Sequence, residues 1–188
     1  MAAQKCNVTR AADSDIAPGP ARARPAGFDL SGRAILVTEA TSPIGRALTV
    51  GFQTAGADVF VSARRPADLA AARRDLPDLA GLPGEPADLT RPGEADRLIQ
   101  AAVARLGRLD VLAGTYQRVF AKPLTSILDE EYARVIDLNL RPAFAAARAA
   151  VPLLAASGTG RILLLSSGLA VRGLANGSVF CAAQGALG

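Results

Sequence analysis

Short apolar runs alternate with amphipathic stretches from about residue 28 to the end of the chain. The run 34–38 reads Ala-Ile-Leu-Val-Thr, which is typical of a strand buried on both faces of a parallel sheet. Similar runs predict strands at 57–63, 109–113 and 161–167, and a stub of another strand within 81–86. The pattern therefore predicts about five strands.

The amphipathic stretches between these runs predict helices, because apolar side chains recur there every three to four residues. The predicted helices cover about 43–56, 66–76, 92–106 and 129–156, and a last helix begins near Ser178. Thr41 or Ser42 can cap the first helix. Pro43 is tolerated in its first turn, where the backbone N–H has no partner within the helix.

Three of these helices carry an apolar stripe that is expected to face the sheet, and in the helix over 92–106 the stripe consists of Leu98, Ala102 and Leu106. The stripe of the first helix consists of Ile44, Leu48 and Phe52. The stripe of the long helix consists of Ile136, Leu140 and Phe144. Pro142 and Pro152 predict kinks in the long helix, because proline interrupts the hydrogen-bond ladder.

Strands that alternate with helices predict an α/β fold with a doubly wound parallel sheet and helices on both faces. Residues 28–188 are expected to form this domain. Residues 1–27 lack an apolar period and contain several prolines, so a disordered N-terminal tail is expected there. No apolar run approaches the ~20 residues that a membrane-spanning helix needs, and we expect a cytoplasmic protein without membrane contact.

Composition removes several classes of function. The 188 residues include no His, which is the commonest general base and a common metal ligand, so a hydrolase triad is excluded. Cys6 and Cys181 lie at opposite ends, which argues against a disulfide framework or a Cys-rich metal site. The net charge of +4 comes from basic residues spread along the chain without interleaved aromatics, which argues against nucleic-acid binding. We therefore expect no metal ion and no nucleic-acid partner.

The turn after the first strand is the expected ligand site, because ligands of doubly wound sheets bind at the carboxyl ends of the strands. The turn 38–45 reads Thr-Glu-Ala-Thr-Ser-Pro-Ile-Gly. This turn and the order of elements resemble the short-chain dehydrogenase/reductase family, whose turn is T-G-x-x-x-G-x-G. The resemblance implies a Rossmann-type fold that binds a nicotinamide dinucleotide and reduces carbonyls or oxidises alcohols. It also implies two strands beyond residue 188, so a C-terminally truncated member is expected.

The turn departs from the family pattern at two of its three glycines. Thr38 and Gly45 match the pattern, and a small residue at position 45 is expected to let helix and strand pack closely. Glu39 places a carboxylate near the cofactor's phosphates, where repulsion at ~4 Å and an effective dielectric of ~20 is about 4 kcal/mol before screening. Pro43 removes an N–H that can face a phosphate. The turn is therefore expected to join strand to helix without binding phosphates.

Two other positions match cofactor-binding positions of the family. Arg64 follows the second strand, where Arg favours the 2′-phosphate of NADP, although a solvated surface Arg is equally compatible. Asp88 matches an Asp that the family uses near the adenine, or it is a loop residue before a helix cap at Thr90. After the fourth strand the family shows N-N-A-G, whereas the stretch 114–117 reads Gly-Thr-Tyr-Gln.

The resemblance also implies four catalytic positions, which the family fills with Ser, Tyr, Lys and Asn. Ser167 and Asn139 fit the first and the last of these. Phe180 stands at the Tyr position and Gln184 at the Lys position, so the proton donor and the group that lowers its pKa are replaced. Losing a general acid typically costs roughly 10²–10⁴-fold in rate. Tyr116 either offers a phenol to the crevice or packs in the interior.

Three interpretations follow from these positions. The favoured one is a degenerate relative with little or no oxidoreductase turnover. The alternatives are an NADP-dependent oxidoreductase with an altered active site, acting on a carbonyl or alcohol, and a non-catalytic module that binds a nucleotide or a partner. Self-association is expected through the 129–156 helix or through an exposed sheet edge at 161–167. The sequence identifies no substrate.

Overall fold

In the computed structural model, which describes residues 28–188, five strands form one parallel sheet. They are β1 (Ala34–Val37), β2 (Asp58–Ala63), β3 (Gly84–Pro86), β4 (Val111–Gly114) and β5 (Arg161–Leu164). The sheet order is β3-β2-β1-β4-β5, and every neighbouring pair is parallel. This order confirms the predicted doubly wound, Rossmann-type fold. The strand order changes direction between β1 and β4, and this change leaves a crevice at the carboxyl ends of the strands. The tail expected at 1–27 lies outside the described residues.

Eight helices connect or flank the strands within the described part of the chain. They are α1 (Pro43–Thr54), α2 (Pro66–Asp75), α3 (Pro77–Ala80), α4 (Glu94–Leu106), α5 (Asp129–Asn139), α6 (Arg141–Ala156), α7 (Leu169–Arg172) and α8 (Ser178–Gly185). A 3₁₀ turn covers Leu124–Ser126. The sequence pattern missed α3, α7 and the 3₁₀ turn, because segments of three or four residues are too short to show a helical period.

The sheet is covered on both faces, as its continuously apolar strands require. Ile35 and Val37 of β1 pack with apolar residues of α1, α2 and α3 on one face. Leu36 points to the opposite face and packs with residues of α4 and α6. Because side chains alternate along a strand, a single four-residue strand contributes to both layers of the core.

The helix predicted over 129–156 is two helices, α5 and α6, which meet at Leu140. Pro142 lies in the first turn of α6, where it has no N–H to continue the ladder from α5 and its ring clashes with the preceding turn. A kink predicted at this proline is therefore a full break. Pro152, by contrast, lies inside α6 without ending it.

Two of the large residues in the predicted apolar stripes are exposed, so the prediction that they face the sheet is wrong. Ile44 is 42% exposed and Phe144 is 62% exposed. The fully buried residues of α1 are Gly45 and Thr49, although the predicted Phe52 also packs against the core. Helix α6 contacts the core mainly through alanines. Small residues let a helix axis approach the sheet closely, so the bulky apolar side chains beside them remain at the surface.

The start of α1 explains why one glycine of the first turn is retained. Ser42 is the N-cap, and its hydroxyl oxygen accepts a hydrogen bond from the N–H of Gly45 at 3.0 Å. A Cβ atom on Gly45 would lie 2.2 Å from the carbonyl oxygen of Glu39. The predicted close packing of helix and strand at this position is therefore confirmed.

We expect Gly45→Ala to lower the free energy of unfolding by about 1–3 kcal/mol, because the added methyl group meets backbone rather than a movable side chain. Gly51→Ala in the same helix is the matched control, since a Cβ atom there meets nothing within 4 Å. We expect Gly51→Ala to raise stability by roughly 0.5–1 kcal/mol through helix propensity. Urea unfolding followed by circular dichroism measures both, and equal effects of the two substitutions would contradict this account.

Candidate functional site

A narrow crevice lies at the carboxyl ends of β1, β2, β3 and β4. The side chains around it are Glu39, Arg64, Asp88, Leu89, Thr90, Tyr116, Gln117, Arg118, Leu138 and Pro142. The cavity left between these side chains has a volume of about 20 Å³. This is room for one or two waters and not for a nucleotide.

Glu39 closes the crevice from the side of the first turn. Its backbone has a φ of 53°, in the left-handed region that few residues other than glycine adopt. Its Oε2 lies 2.7 Å from Nη2 of Arg118, which follows β4 on the opposite side of the crevice. Burial raises the pKa of the Glu39 carboxyl above its ordinary value, and the positive charges of Arg118 and Arg64 offset only part of that rise.

Asn139 holds the backbone of Arg118 in place. The side-chain oxygen of Asn139 accepts from the N–H of Arg118 at 2.7 Å, and its amide nitrogen donates to the Arg118 carbonyl at 3.1 Å. The same nitrogen also donates to the carbonyl oxygen of Val135 at 2.9 Å. Asn139 is fully buried, so in this structure the predicted catalytic Asn ties the segment after β4 to helix α5.

Arg64 lies on the crevice wall, half-buried, and makes no hydrogen bond or ion pair with any residue in the described part of the chain. Its neighbour Arg65 is engaged, because its guanidinium contacts both oxygens of Asp68 at 2.8 and 2.6 Å. Arg64 is thus a cation that faces the crevice and has its donors available.

Asp88 also reaches the crevice, but its carboxylate is occupied by a local turn. Its Oδ1 accepts from the N–H of Thr90 at 3.2 Å and from the Thr90 hydroxyl at 2.7 Å. The alternative that Thr90 caps the next helix is wrong, because α4 begins at Glu94 after Gly93, whose φ is 81°.

Tyr116 packs in the interior. Its hydroxyl oxygen accepts a hydrogen bond from Oγ1 of Thr38 at 2.7 Å, so the predicted cofactor residue Thr38 faces this buried phenol. Burial raises the pKa of Tyr116, which makes the phenol a poor proton donor near neutral pH. A Cβ atom on Gly114 would lie 2.5 Å from the Tyr116 ring, so the ring fits only because position 114 is glycine.

Gln184 and Phe180 occupy the positions of the Lys and Tyr, and both are fully buried. The Gln184 amide nitrogen donates to the carbonyl oxygen of Tyr116 at 3.0 Å, and its oxygen accepts from the N–H of Ser167 at 3.1 Å. Phe180 packs with Val135 in a small apolar cluster beside α5. Both side chains therefore join α8 to the rest of the fold.

Ser167 lies just after β5, and its hydroxyl oxygen accepts from the N–H of Leu169 at 3.2 Å. The structure thus gathers Glu39, Arg64 and Asp88 around the crevice. It places Ser167 and Asn139 outside the crevice lining.

Sequence reasoning missed Arg118, the residue that pairs with Glu39. A signal was present, since Arg118 closely follows a buried strand and the carboxyl ends of parallel strands meet at one edge.

The comparisons with known proteins agree with this fold and with the resemblance seen in the sequence. The family model described as short chain dehydrogenase matches residues 33–188. The chain belongs to the short-chain dehydrogenase family. It is 35% identical to a tropinone reductase homologue of Arabidopsis thaliana and 31% identical to an L-xylulose reductase of Bos taurus. These alignments cover 85% and 84% of this chain, but the chain spans only about three-fifths of the length of these relatives, 61% and 62%.

Solved structures of the family have the same architecture. A short chain dehydrogenase from Mycobacterium smegmatis superposes with a TM-score of 0.75 at 30% identity, over 89% of this chain and 71% of that one. A levodione reductase superposes with a TM-score of 0.76 at 23% identity, over 84% of this chain and 62% of that one, which supports the fold alone.

Members of this family generally bind NAD(P), and the described crevice does not fit such a dinucleotide as it stands. Toward a phosphate, the first turn presents the negatively charged carboxylate of Glu39. Pro43 in the same turn has no N–H to donate. The Glu39–Arg118 ion pair spans the space, and about 20 Å³ remains free. Arg64 and Arg118 are the lining residues whose chemistry suits a phosphate group, and Arg118 is already paired with Glu39.

No helix within residues 28–188 combines the length and the apolarity needed to cross a bilayer. Over the same residues, no group of three or more His, Cys, Asp or Glu side chains is arranged to hold a metal ion.

We expect Gln184→Met to lower the free energy of unfolding by about 1–3 kcal/mol, because a side chain of similar shape leaves the buried Tyr116 carbonyl and the partly buried Ser167 N–H without their partner. Gln100→Met, on the exposed face of α4, is the matched control and should change stability by no more than ~0.5 kcal/mol. Thermal and urea unfolding measure the difference. Similar small effects at both positions would contradict the bridging role of Gln184.

Proposed function

We propose that this chain is a short-chain dehydrogenase-type domain whose catalytic positions serve its structure, with little or no oxidoreductase turnover. The observation that carries the proposal is the Gln184 amide, which hydrogen-bonds to the backbone of Tyr116 and of Ser167 where the resemblance implies a Lys. The amide carries no positive charge that could lower the pKa of a proton donor, and its full burial keeps it from reaching a ribose.

The surroundings of the missing proton donor support the same proposal. Phe180 has no ionisable group and is fully buried. The phenol of Tyr116 is also buried and accepts from Thr38, so it does not replace the absent Tyr. Loss of the general acid alone lowers a rate by roughly 10²–10⁴-fold.

The second candidate function is retention of a nucleotide, with NADP preferred over NAD. Arg64 favours this candidate, because its guanidinium lines the crevice and has no ion-pair partner among the described residues. A 2′-phosphate offers such a guanidinium a charge-assisted, bidentate contact, whereas the hydroxyl of NAD does not. The remaining alternative is a working NADP-dependent oxidoreductase with an altered active site that acts on a carbonyl or an alcohol; both relatives named above are called reductases or reductase homologues.

Two surfaces support the proposal that copies of this chain associate. Helix α6 exposes Phe144 and Val151, two turns apart on one side of the helix. Strand β5 lies at the edge of the sheet with Ile162 and Leu163 exposed, and such an edge invites pairing. We also propose that the protein is cytoplasmic, as its sequence leads us to expect.

We expect the purified chain to show no oxidoreductase activity with a panel of ketones and aldehydes. NADPH should be consumed no faster in its presence than in buffer alone. Ser167→Ala should leave this background unchanged, because no proton donor cooperates with its hydroxyl. Absorbance at the NADPH band measures the rate.

Ser126→Ala, an exposed serine of the 3₁₀ turn, serves as the control. Turnover that Ser167→Ala abolishes and Ser126→Ala preserves would show that the altered site is a working oxidoreductase and would overturn the proposed inactivity.

A further inference from the structure

The Glu39–Arg118 ion pair joins the two sides of the crevice. Glu39 comes from the turn between β1 and α1, and Arg118 comes from the segment after β4. Glu39 is the more enclosed partner, with a side chain 17% exposed, and Arg118 is 52% exposed. The pair therefore has its carboxylate inside the crevice and its guanidinium at the mouth.

The backbone on both sides of this ion pair is held firmly, whereas the Arg118 side chain is free to move. The turn carrying Glu39 is fixed by the close packing of Gly45 against the Glu39 carbonyl. The backbone of Arg118 is fixed by two hydrogen bonds to Asn139. Besides Glu39, the Arg118 guanidinium contacts no hydrogen-bonding partner in residues 28–188. Rotation of the Arg118 side chain alone would therefore break the ion pair without a change in the backbone.

Glu39 competes directly with any anion that enters the crevice. Arg118 and Arg64 are the cations that face this space, and Glu39 already uses the first of them. A phosphate that takes Arg118 gains a charge-assisted contact and leaves the Glu39 carboxylate unpaired beside it. The ionised form of Glu39 therefore opposes phosphate binding, and the neutral form does not.

We propose that the Glu39–Arg118 ion pair closes the crevice to the phosphates of a nucleotide, because the ionised Glu39 carboxylate occupies Arg118 and repels an entering anion. The inference rests on the proposed function, in its nucleotide-binding form. It goes beyond that proposal, because it assigns control of nucleotide access to a carboxylate at a position where the family has glycine.

The closure is expected to depend on pH in one direction. Burial raises the pKa of Glu39; Arg118 after β4 and Arg64 after β2 counteract this rise, and Asp68 of α2 and Asp88 after β3 add to it. As pH falls through this raised pKa, Glu39 becomes neutral, the ion pair is lost, and repulsion of a phosphate disappears. Nucleotide binding should therefore strengthen as pH falls.

The test measures binding of NADPH and of adenosine, which has no phosphate, by calorimetry from about pH 8 to about pH 5. Glu39→Gln keeps the shape of the side chain and removes its charge, and it should tighten NADPH binding at the upper pH by roughly ten- to a hundredfold. The pH dependence of the native chain should largely disappear in this variant. The same substitution should raise the affinity for adenosine much less, because adenosine has no phosphate to contact Arg118.

Glu85→Gln is the matched control, since Glu85 forms a 2.6 Å ion pair with Arg97 away from the crevice. It should leave NADPH binding and its pH dependence unchanged. Glu39→Gly is a second variant that suits the positive φ of the turn, and it should behave like Glu39→Gln. Circular dichroism confirms that each variant is folded.

Three outcomes would overturn the closure: equal NADPH affinity in the native chain and both Glu39 variants, equal gains for adenosine and NADPH, or no NADPH binding by any variant at any pH. The proposed lack of turnover is judged separately by the rate assay. Equal NADPH affinity in the native chain and both Glu39 variants, without turnover, would thus reject the closure and leave the inactivity standing.

Discussion

The close approach of Gly45 to the carbonyl oxygen of Glu39 fixes how helix α1 leaves strand β1. With Ser42 capping the helix and Glu39 at a φ of 53°, the turn has one arrangement, and the Glu39 carboxylate enters the crevice. In the family pattern this position is glycine and no side chain exists to enter. The same backbone path that suits a phosphate therefore delivers a negative charge, and Arg118 across the crevice neutralises it.

A second set of contacts explains how the fold accommodates other departures from the family pattern. Tyr116 fills interior space that is available because residue 114 is glycine, and its carbonyl oxygen accepts from Gln184. Gln184 in turn accepts from the N–H of Ser167, which links the ends of β4 and β5 to helix α8. Every buried side-chain nitrogen and oxygen in residues 28–188 has a hydrogen-bond partner. Positions that suit catalysis in the family pattern are thus used here to complete a buried hydrogen-bond network.

Particular elements mark where sequence reasoning succeeded and where it failed. The strands were predictable, because burial on both faces leaves a continuous apolar run such as 34–37. Helix faces were less predictable, since Ile44 and Phe144 follow the helical period yet stay exposed beside smaller residues that touch the sheet. The break at Leu140 was expected only as a kink, because the sequence does not show how far a proline separates two helices.

The sequence by itself determined the order of strands and helices, the doubly wound class and the identities of Glu39, Phe180 and Gln184 at sensitive positions, because these depend on local pattern and residue type. Only the tertiary structure decided what those residues contact. Glu39 and Arg118 are 79 residues apart in the chain, and Gln184 and Tyr116 are 68 apart. The pairing of β1 with β4 brings Glu39 and Arg118 together, and the packing of α8 brings Gln184 to the end of β4. The local sequence around each residue carries no record of its distant partner.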